Sequence, residues 1–240
     1  MKEPLKIAII GYGKMGHEIE KHALAAGHEI ACILDNEDDW NQFPGEAQVA
    51  IEFTTPDTAV NNIFRCFDAS IPVVSGTTGW HNRLPEVSMI CLAKNQTLLY
   101  ASNFSLGVNI FFEINRRLTA LLAPFKEYQP GISETHHTQK IDAPSGTAIV
   151  LANEIIDQDE RFNAWKLKNQ QPGPGEIPIE SLRIDQVPGT HVVTWDGPSD
   201  SIQIKHTAHN RNGFAQGALL AAQWVWQKKG IFTMKDLLNL

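Results

Sequence analysis

The chain opens with an unbroken apolar run at residues 5–10, then a glycine-rich stretch, then Ile19, Ala23 and Ala26 at helical spacing. A run without polar alternation suits a strand buried on both faces, and the spacing after it predicts a helix over 17–26 that Gly27 ends. A second strand follows at 29–34, with Asp35 at its tip. Parallel strands need a crossover of this kind, so the segment reads as a βαβ unit. The alternation continues with strands at 49–53, 72–75 and 97–101 and helices at 58–69 and 87–93, interrupted by an acidic, turn-rich stretch at 36–45. Strands alternating with helices predict an α/β fold with a Rossmann-like, doubly wound parallel sheet.

The pattern changes after residue 105. A long helical pattern spans 107–122, a strand-like segment at 131–137 delivers a polar cluster, and a helix is expected over 145–157. Residues 165–175 read as a loop ending in Pro172-Gly173-Pro174-Gly175. Three β-rich runs follow at 181–187, 189–196 and 201–208, punctuated by Gly189 and Gly197-Pro198; they predict a mostly antiparallel sheet. A helix over 214–228 and a short segment at 232–238 close the chain. That helix is expected to pack back on the first sheet. The first domain is then discontinuous, 1–105 with 213–240, around an α+β domain at 106–212. Trp195, Trp224 and Trp226 read as packing residues.

The glycine-rich stretch is Gly11-Tyr12-Gly13-Lys14-Met15-Gly16, set between a strand and a helix. Glycine allows the tight turn and the close approach of backbone to a pyrophosphate, and the helix N-terminus offers free N–H groups to it. Asp35 stands about 20 residues on, where a carboxylate accepts from the adenosine ribose hydroxyls. A carboxylate there repels a 2′-phosphate. Asn36, Glu37, Asp38 and Asp39 add no positive charge, and only Lys14 is basic nearby, so NADH is favoured over NADPH. The Gly76-Thr77-Thr78-Gly79 loop also follows a strand, at the sheet edge where ligands bind, and residues 101–104 should line the same crevice.

Composition narrows the function classes. The 240 residues are 42% apolar and 20% charged, as in an ordinary globular protein, and no apolar run approaches the roughly 18 residues of a membrane span. The N-terminus has no signal-peptide pattern, so a cytoplasmic location is expected. A net charge of −7 argues against nucleic-acid binding but leaves room for a local basic pocket and an anionic small molecule. Cys32, Cys66 and Cys91 fit neither a disulfide framework nor a zinc site and read as buried or free thiols.

The most informative stretch is 134–147. Two imidazoles, an ammonium and an acid lie within its first nine positions. A strand would place His136 and His137 on opposite faces, with different jobs. Pro144 and Ser145 look like the entry of the next helix, where Gly146 and Thr147 present N–H groups and a hydroxyl to an anion. Adjacent histidines are poor co-ligands in an extended strand, so a proton donor beside an anion site is the better reading than a metal. Arg183, His191, His206, His209 and Arg211 read mainly as surface or interface residues.

His136-His137-x-x-Lys140-x-Asp142-Ala143-Pro144-Ser145-Gly146-Thr147-Ala148 closely resembles the signature of 4-hydroxy-tetrahydrodipicolinate reductases. Supporting matches are residues 11–16 and 76–79, Asn103-Phe104-Ser105-x-Gly107-Val108-Asn109, and Phe214-Ala215-x-Gly217-Ala218; they cover nearly the whole chain in the family's order. The resemblance implies an NAD(P)H-dependent reductase of lysine and diaminopimelate biosynthesis. Its substrate would be a small dicarboxylic cyclic imine, and it would be a homotetramer built through the sheet of the second, substrate-binding and oligomerisation domain. It implies that His136 is the general acid. Lys140 would pair with substrate and stabilise developing negative charge, and His137 and Ser145 would bind substrate. Gly146 and Thr147 would hold a carboxylate. Gly76, Thr78 and Phe104 fall near the nicotinamide, with Phe53, Thr54, Thr77, Ala101 and Asn103 also at the cofactor. Asn36 and Thr55 stand where many members carry basic residues, which again favours NADH. On the fold alone, an aspartate or imine dehydrogenase and an NAD sensor remain open; the spacing from Lys140 to Thr147 separates the reductase from them.

Overall fold

The computed structural model describes residues 3–210 and 212–240; Arg211 lies outside the described residues. The chain divides into two compact units, Met1–Leu106 with Asn212–Leu240, and Gly107–Arg211.

The first unit is built on a six-stranded parallel sheet in the order β11-β5-β4-β3-β1-β2. Its strands are β1 (Lys6–Ile10), β2 (Glu29–Leu34), β3 (Val49–Glu52), β4 (Val73–Ser75), β5 (Thr97–Tyr100) and β11 (Gly230–Phe232). The central strands are buried on both faces, as the unalternating apolar runs require. The helices are α1 (Lys14–Ala25), α2 (Pro56–Asp68), α3 (Leu84–Ala93), α6 (Asn212–Val225) and α7 (Met234–Leu238). α6 packs beside α1 on one face, and Ile63, Phe67 and Val87 of α2 and α3 fill the other. After β1 the chain turns to β2, then crosses back to β3 on the opposite side of β1. The loops following β1 and β3 therefore diverge and open a crevice at the carboxyl edge.

Three helices begin earlier than apolar periodicity indicates, because glycine, proline or polar residues in their first turns interrupt the apolar pattern. α1 starts at Lys14, with extended Gly13 as its N-cap, so the glycine-rich stretch supplies the first helical turn. α2 starts at Pro56, a residue suited to a first helical position, after Thr55. α3 starts at Leu84 with Pro85 in its first turn. The closing segment also differs from expectation: residues 230–232 form β11 on the sheet edge beside β5. Cys32, Cys66 and Cys91 are free and buried, and burial pushes the Cys91 thiol up to about 11.

The second unit holds a mixed five-stranded sheet, β10-β9-β6-β8-β7. Its strands are β6 (Gln129–His136), β7 (Ala164–Leu167), β8 (Glu176–Arg183), β9 (Gly189–Asp196) and β10 (Ser201–Ala208). The longer ladders, β6–β9 and β9–β10, are antiparallel; β6–β8 and β7–β8 are parallel. α4 (Leu106–Leu122) and α5 (Gly146–Gln158) cover one face, where Phe111, Leu151, Ile155, Ile179, Val193 and Trp195 form the core. The expected loop at 165–175 in fact begins inside β7, and β8 begins at Glu176 rather than 181. Alternation of Ile177 and Ile179 into the core decides this, although Pro178 between them masked the strand. Residues 184–187 leave the sheet, with Gln186 in a left-handed conformation.

Gly217 of α6 lies hard against the backbone of Phe104: a Cβ there would sit 1.8 Å from the Phe104 carbonyl oxygen. Backbone cannot yield as a flexible side chain can. Gly217→Ala should therefore destabilise the protein by about 1–3 kcal/mol, measured by denaturant melts.

Candidate active site

In the first unit, the glycines of the β1–α1 turn are required by close approach. Gly11 has φ +89, and a Cβ on it would meet the Phe53 carbonyl oxygen at 2.2 Å; one on Gly16 would meet the Gly11 carbonyl oxygen at 2.4 Å. Gly13 faces open space. α1 has no side-chain cap and no acidic residue in its first turn, where Lys14 and Met15 stand. Its N-terminal N–H groups thus lack an intramolecular acceptor of the usual capping kind, and both charge and space suit a pyrophosphate. Asp35 closes the same turn by accepting from Tyr12 N at 2.8 Å with Oδ1. A crevice of about 410 Å³ lies here, lined by Gly11, Tyr12, Asp35, Trp40, Phe53 and Thr54 among others. These are the features a dinucleotide's adenosine half requires.

The neighbouring loops are joined by Glu52, a residue that the strand pattern left unremarked. It ends β3 with no exposed surface. Its carboxyl accepts from Ser75 Oγ at 2.5 Å, Thr77 Oγ1 at 2.8 Å, Thr54 N at 3.0 Å and the Thr54 hydroxyl. The loops after β3 and β4 are thereby held to one group. Gly76 rests on the Phe53 ring, Thr77 is buried, and Thr78 is exposed. Ala101 and Asn103 are half-buried, and the Asn103 amide oxygen accepts from Ser105 N. Phe104 is buried 5.7 Å from the Phe53 ring, so it shapes the loops from beneath rather than presenting its own ring. An acid inside an otherwise apolar strand was the available sign of Glu52, since such a group must be compensated where it lies.

Sequence reading also overlooked the positive charge near Asp35. Arg65 of α2 makes a two-pronged ion pair with Glu37 and lies 4.6 Å over the Trp40 ring. Nothing in the local sequence links residues 28 positions apart.

In the second unit, β6 alternates Ile132, Glu134 and His136 toward the core, and His137 just beyond the strand is half-buried, as opposite-face placement requires. Glu134 is fully buried. Oε1 accepts from Ser145 N and from Arg183 Nη2, both at 3.1 Å, and Oε2 lies 2.6 Å from His136 Nδ1. Burial opposes its ionisation, but the hydrogen bonds from Ser145 N and Arg183, with the His136 imidazole in contact, outweigh that and hold the carboxyl far below the usual carboxylate range.

His191 and Arg183 are corrections to the surface reading. His191 of β9 is buried, its ring 5.0 Å from that of His136, with Nε2 3.1 Å from Ser145 Oγ. Burial, then the nearby positive charge of His136, pushes it down to about 4, so it is neutral near pH 7. Arg183 of β8 also donates to the carbonyls of Lys140 and Asp142, at 3.3 and 2.5 Å. One guanidinium therefore ties the 140–142 segment to the Glu134 carboxylate. Lys140 Nζ pairs with Asp142 Oδ1 at 2.8 Å.

Ser145 N-caps α5 through Ala148 N, and its side chain is buried. Its hydroxyl is engaged within the protein, while Gly146 is exposed and open and Thr147 is half-exposed. The helix start thus exposes residues 146–147, while the serine hydroxyl lies buried against His191 and Ala148 N. Glu134, His136 and His191 are of ligand type and lie close enough to share a metal ion. The carboxylate is already compensated by Arg183, and a nitrogen–oxygen separation of 2.6 Å is direct contact rather than spacing around an ion. The cluster reads as an acid–base assembly.

Residues 5–104 match the family model for the N-terminus of dihydrodipicolinate reductase, and residues 107–238 match that for its C-terminus. The 4-hydroxy-tetrahydrodipicolinate reductase of Christiangramia forsetii is 46% identical over 238 residues, covering 98% of each chain. That of Methanosarcina mazei is 36% identical over 239 residues, covering 98% of this chain and 89% of the relative. The solved dipicolinate-bound dihydrodipicolinate reductase of Paenisporosarcina sp. TG-14 has the same fold, with a TM-score of 0.77 at 23% identity, covering 96% of this chain and 98% of that one. With both halves matched in order, the chain belongs to the dihydrodipicolinate reductase family.

Proposed function

We propose that this protein is the 4-hydroxy-tetrahydrodipicolinate reductase of lysine and diaminopimelate biosynthesis, reducing its substrate by way of dihydrodipicolinate to tetrahydrodipicolinate with a reduced nicotinamide dinucleotide. The observation that carries the reading of the site is local: a buried histidine, backed by a carboxylate, stands one short segment ahead of an open helix N-terminus. Those are the two things a cyclic dicarboxylic imine needs, a proton donor and an anion holder.

A bound nicotinamide would supply hydride to a ring carbon conjugated with the imine. His136 delivers the proton to the adjacent carbon, where electron density has moved. Lys140 stabilises the negative charge that develops. Gly146 N–H, Thr147 N–H and the Thr147 hydroxyl hold a substrate carboxylate, and His137 contributes to substrate binding. Gly11, Gly13, Lys14, Met15 and Gly16 cradle the pyrophosphate. Asp35 would take the ribose, and residues 53–54, 76–78, 101 and 103 would line the nicotinamide side, with Phe104 shaping those loops from beneath. No described helix is long and apolar enough to cross a membrane. A homotetramer joined through the second unit's sheet completes the reading, with the half-buried face of Ser133, Thr135, Val192 and Thr194 available for it.

NADH is the preferred cofactor. Asp35 repels a 2′-phosphate, Asn36 and Thr55 carry no charge, and Glu37 neutralises Arg65, a cation beside the crevice.

Freshly generated substrate should drive oxidation of NADH faster than NADPH, followed by nicotinamide absorbance; no oxidation with either, from folded protein, would remove this reading. His136→Gln should lower kcat by roughly 10²–10⁴-fold with little change in cofactor affinity, and equal losses in both would sink the acid role. Releasing Arg65 by Glu37→Gln should raise the NADPH-to-NADH ratio of kcat/KM by roughly two- to fivefold, as befits a half-exposed charge contact.

A further inference from the structure

We infer that Glu134 is the positioning residue that decides which nitrogen of His136 works: it keeps a proton on Nδ1, so that Nε2 is the nitrogen that gives up its proton and takes it back. The inference rests on the acid role proposed for His136. A neutral imidazole carries one proton and can place it on either nitrogen, and only the bonds around the ring choose between them. Here Nδ1 faces a carboxylate oxygen at 2.6 Å. Hydrogen bonds hold that oxygen's carboxyl far below the usual carboxylate range, so it remains an acceptor and cannot supply a proton of its own. After donation, the ring keeps its Nδ1 proton in contact with the Glu134 carboxylate and has a bare Nε2 ready to be reprotonated.

Arg183, His191 and Gly189 around the ring fit this division. Arg183, the register partner of His136 on β8, compensates Glu134 and leaves the imidazole alone. His191 on β9 stands edge-on to the ring and is neutral, so it does not compete as a second cation. Its Nε2 also lies 4.0 Å from Glu134 Oε2, against 2.6 Å for His136, so the carboxylate favours His136. On the Nε2 side the wall is Gly189, where a Cβ would lie 3.0 Å from Nε2 and 3.2 Å from Cδ2. The absent side chain keeps that nitrogen uncrowded. Carboxylate on one nitrogen and glycine on the other give the ring a fixed polarity, and nothing in the known chemistry of a lone histidine acid requires either.

The test joins a spectrum to kinetics in the full-length protein. In 15N spectra of histidine-labelled protein, with His136 assigned by its loss in His136→Gln, the neutral wild-type ring should carry its proton on Nδ1. An Nε2–H ring in wild type would overturn the inference without any variant being needed. Glu134→Gln should lose the Nδ1–H preference and lower kcat roughly tenfold or more, with substrate KM within about threefold. Gly189→Ala leaves the Glu134 side of the ring in place and crowds its Nε2–Cδ2 edge; because φ is +158 there, a thermal melt accompanies the kinetics, and a folded variant should show lower kcat with the Nδ1–H tautomer preserved. Wild-type turnover in both variants, alongside an inactive His136→Gln, would remove this inference and leave the acid role standing. Wild-type turnover in His136→Gln would remove the acid role itself.

Discussion

A carboxylate with no exposed surface has to be compensated where it sits, and Glu134 is compensated from three strands and a helix start. His136 reaches it along its own strand β6, Arg183 from β8, Ser145 N from the entry of α5, and His191 approaches from β9. An ionised group buried without partners would cost several kcal/mol, so these elements are not independent choices. If β8 slipped by one residue, the guanidinium would leave the core face and the charge would be stranded. The same contacts place the 140–142 segment through its carbonyls and set the angle at which α5 begins. The arrangement of the second unit's chemistry thus follows from neutralising one charge.

The first unit repeats the device with different partners. Glu52 ends β3 as Glu134 nearly ends β6, but its donors are hydroxyls and one backbone N–H, with no guanidinium among them. Threonine and serine at the ends of neighbouring strands are short enough to converge on one carboxyl without filling the crevice above. Beyond that crevice, the Glu37–Arg65–Trp40 cluster satisfies a cation at the adenosine end by stacking and pairing it.

Local pattern made much of this readable. The βαβ start, the glycine-rich turn, Asp35 and the run from His136 to Thr147 all depend on residues close in sequence, and the structure places them as local rules require. What escaped was non-local. Arg183 and His191 looked like surface residues because polar residues on β-strands usually are, and only the pairing of β8 and β9 with β6 brings them onto Glu134. β8 was displaced because Pro178 interrupts its signal, while the burial of Ile177 and Ile179 keeps it in the sheet. Ser145 reads equally as a helix cap and as part of an anion site, because both use the same residue types; its contact with His191, 46 positions away, had no mark in the sequence. Arg65 had no sequence mark at all.

Glu52 carries a further consequence. Because the loops after β3 and β4 hang from a single carboxyl, neither can rearrange without breaking bonds to the other. A ligand that meets either loop finds both already ordered, and the entropy of arranging them is spent during folding rather than at each encounter. Residues 53–54 and 76–78 therefore form a stiff rim, and tolerance to insertion or drift in sequence should be low along it and higher in the exposed turn around residues 38–46.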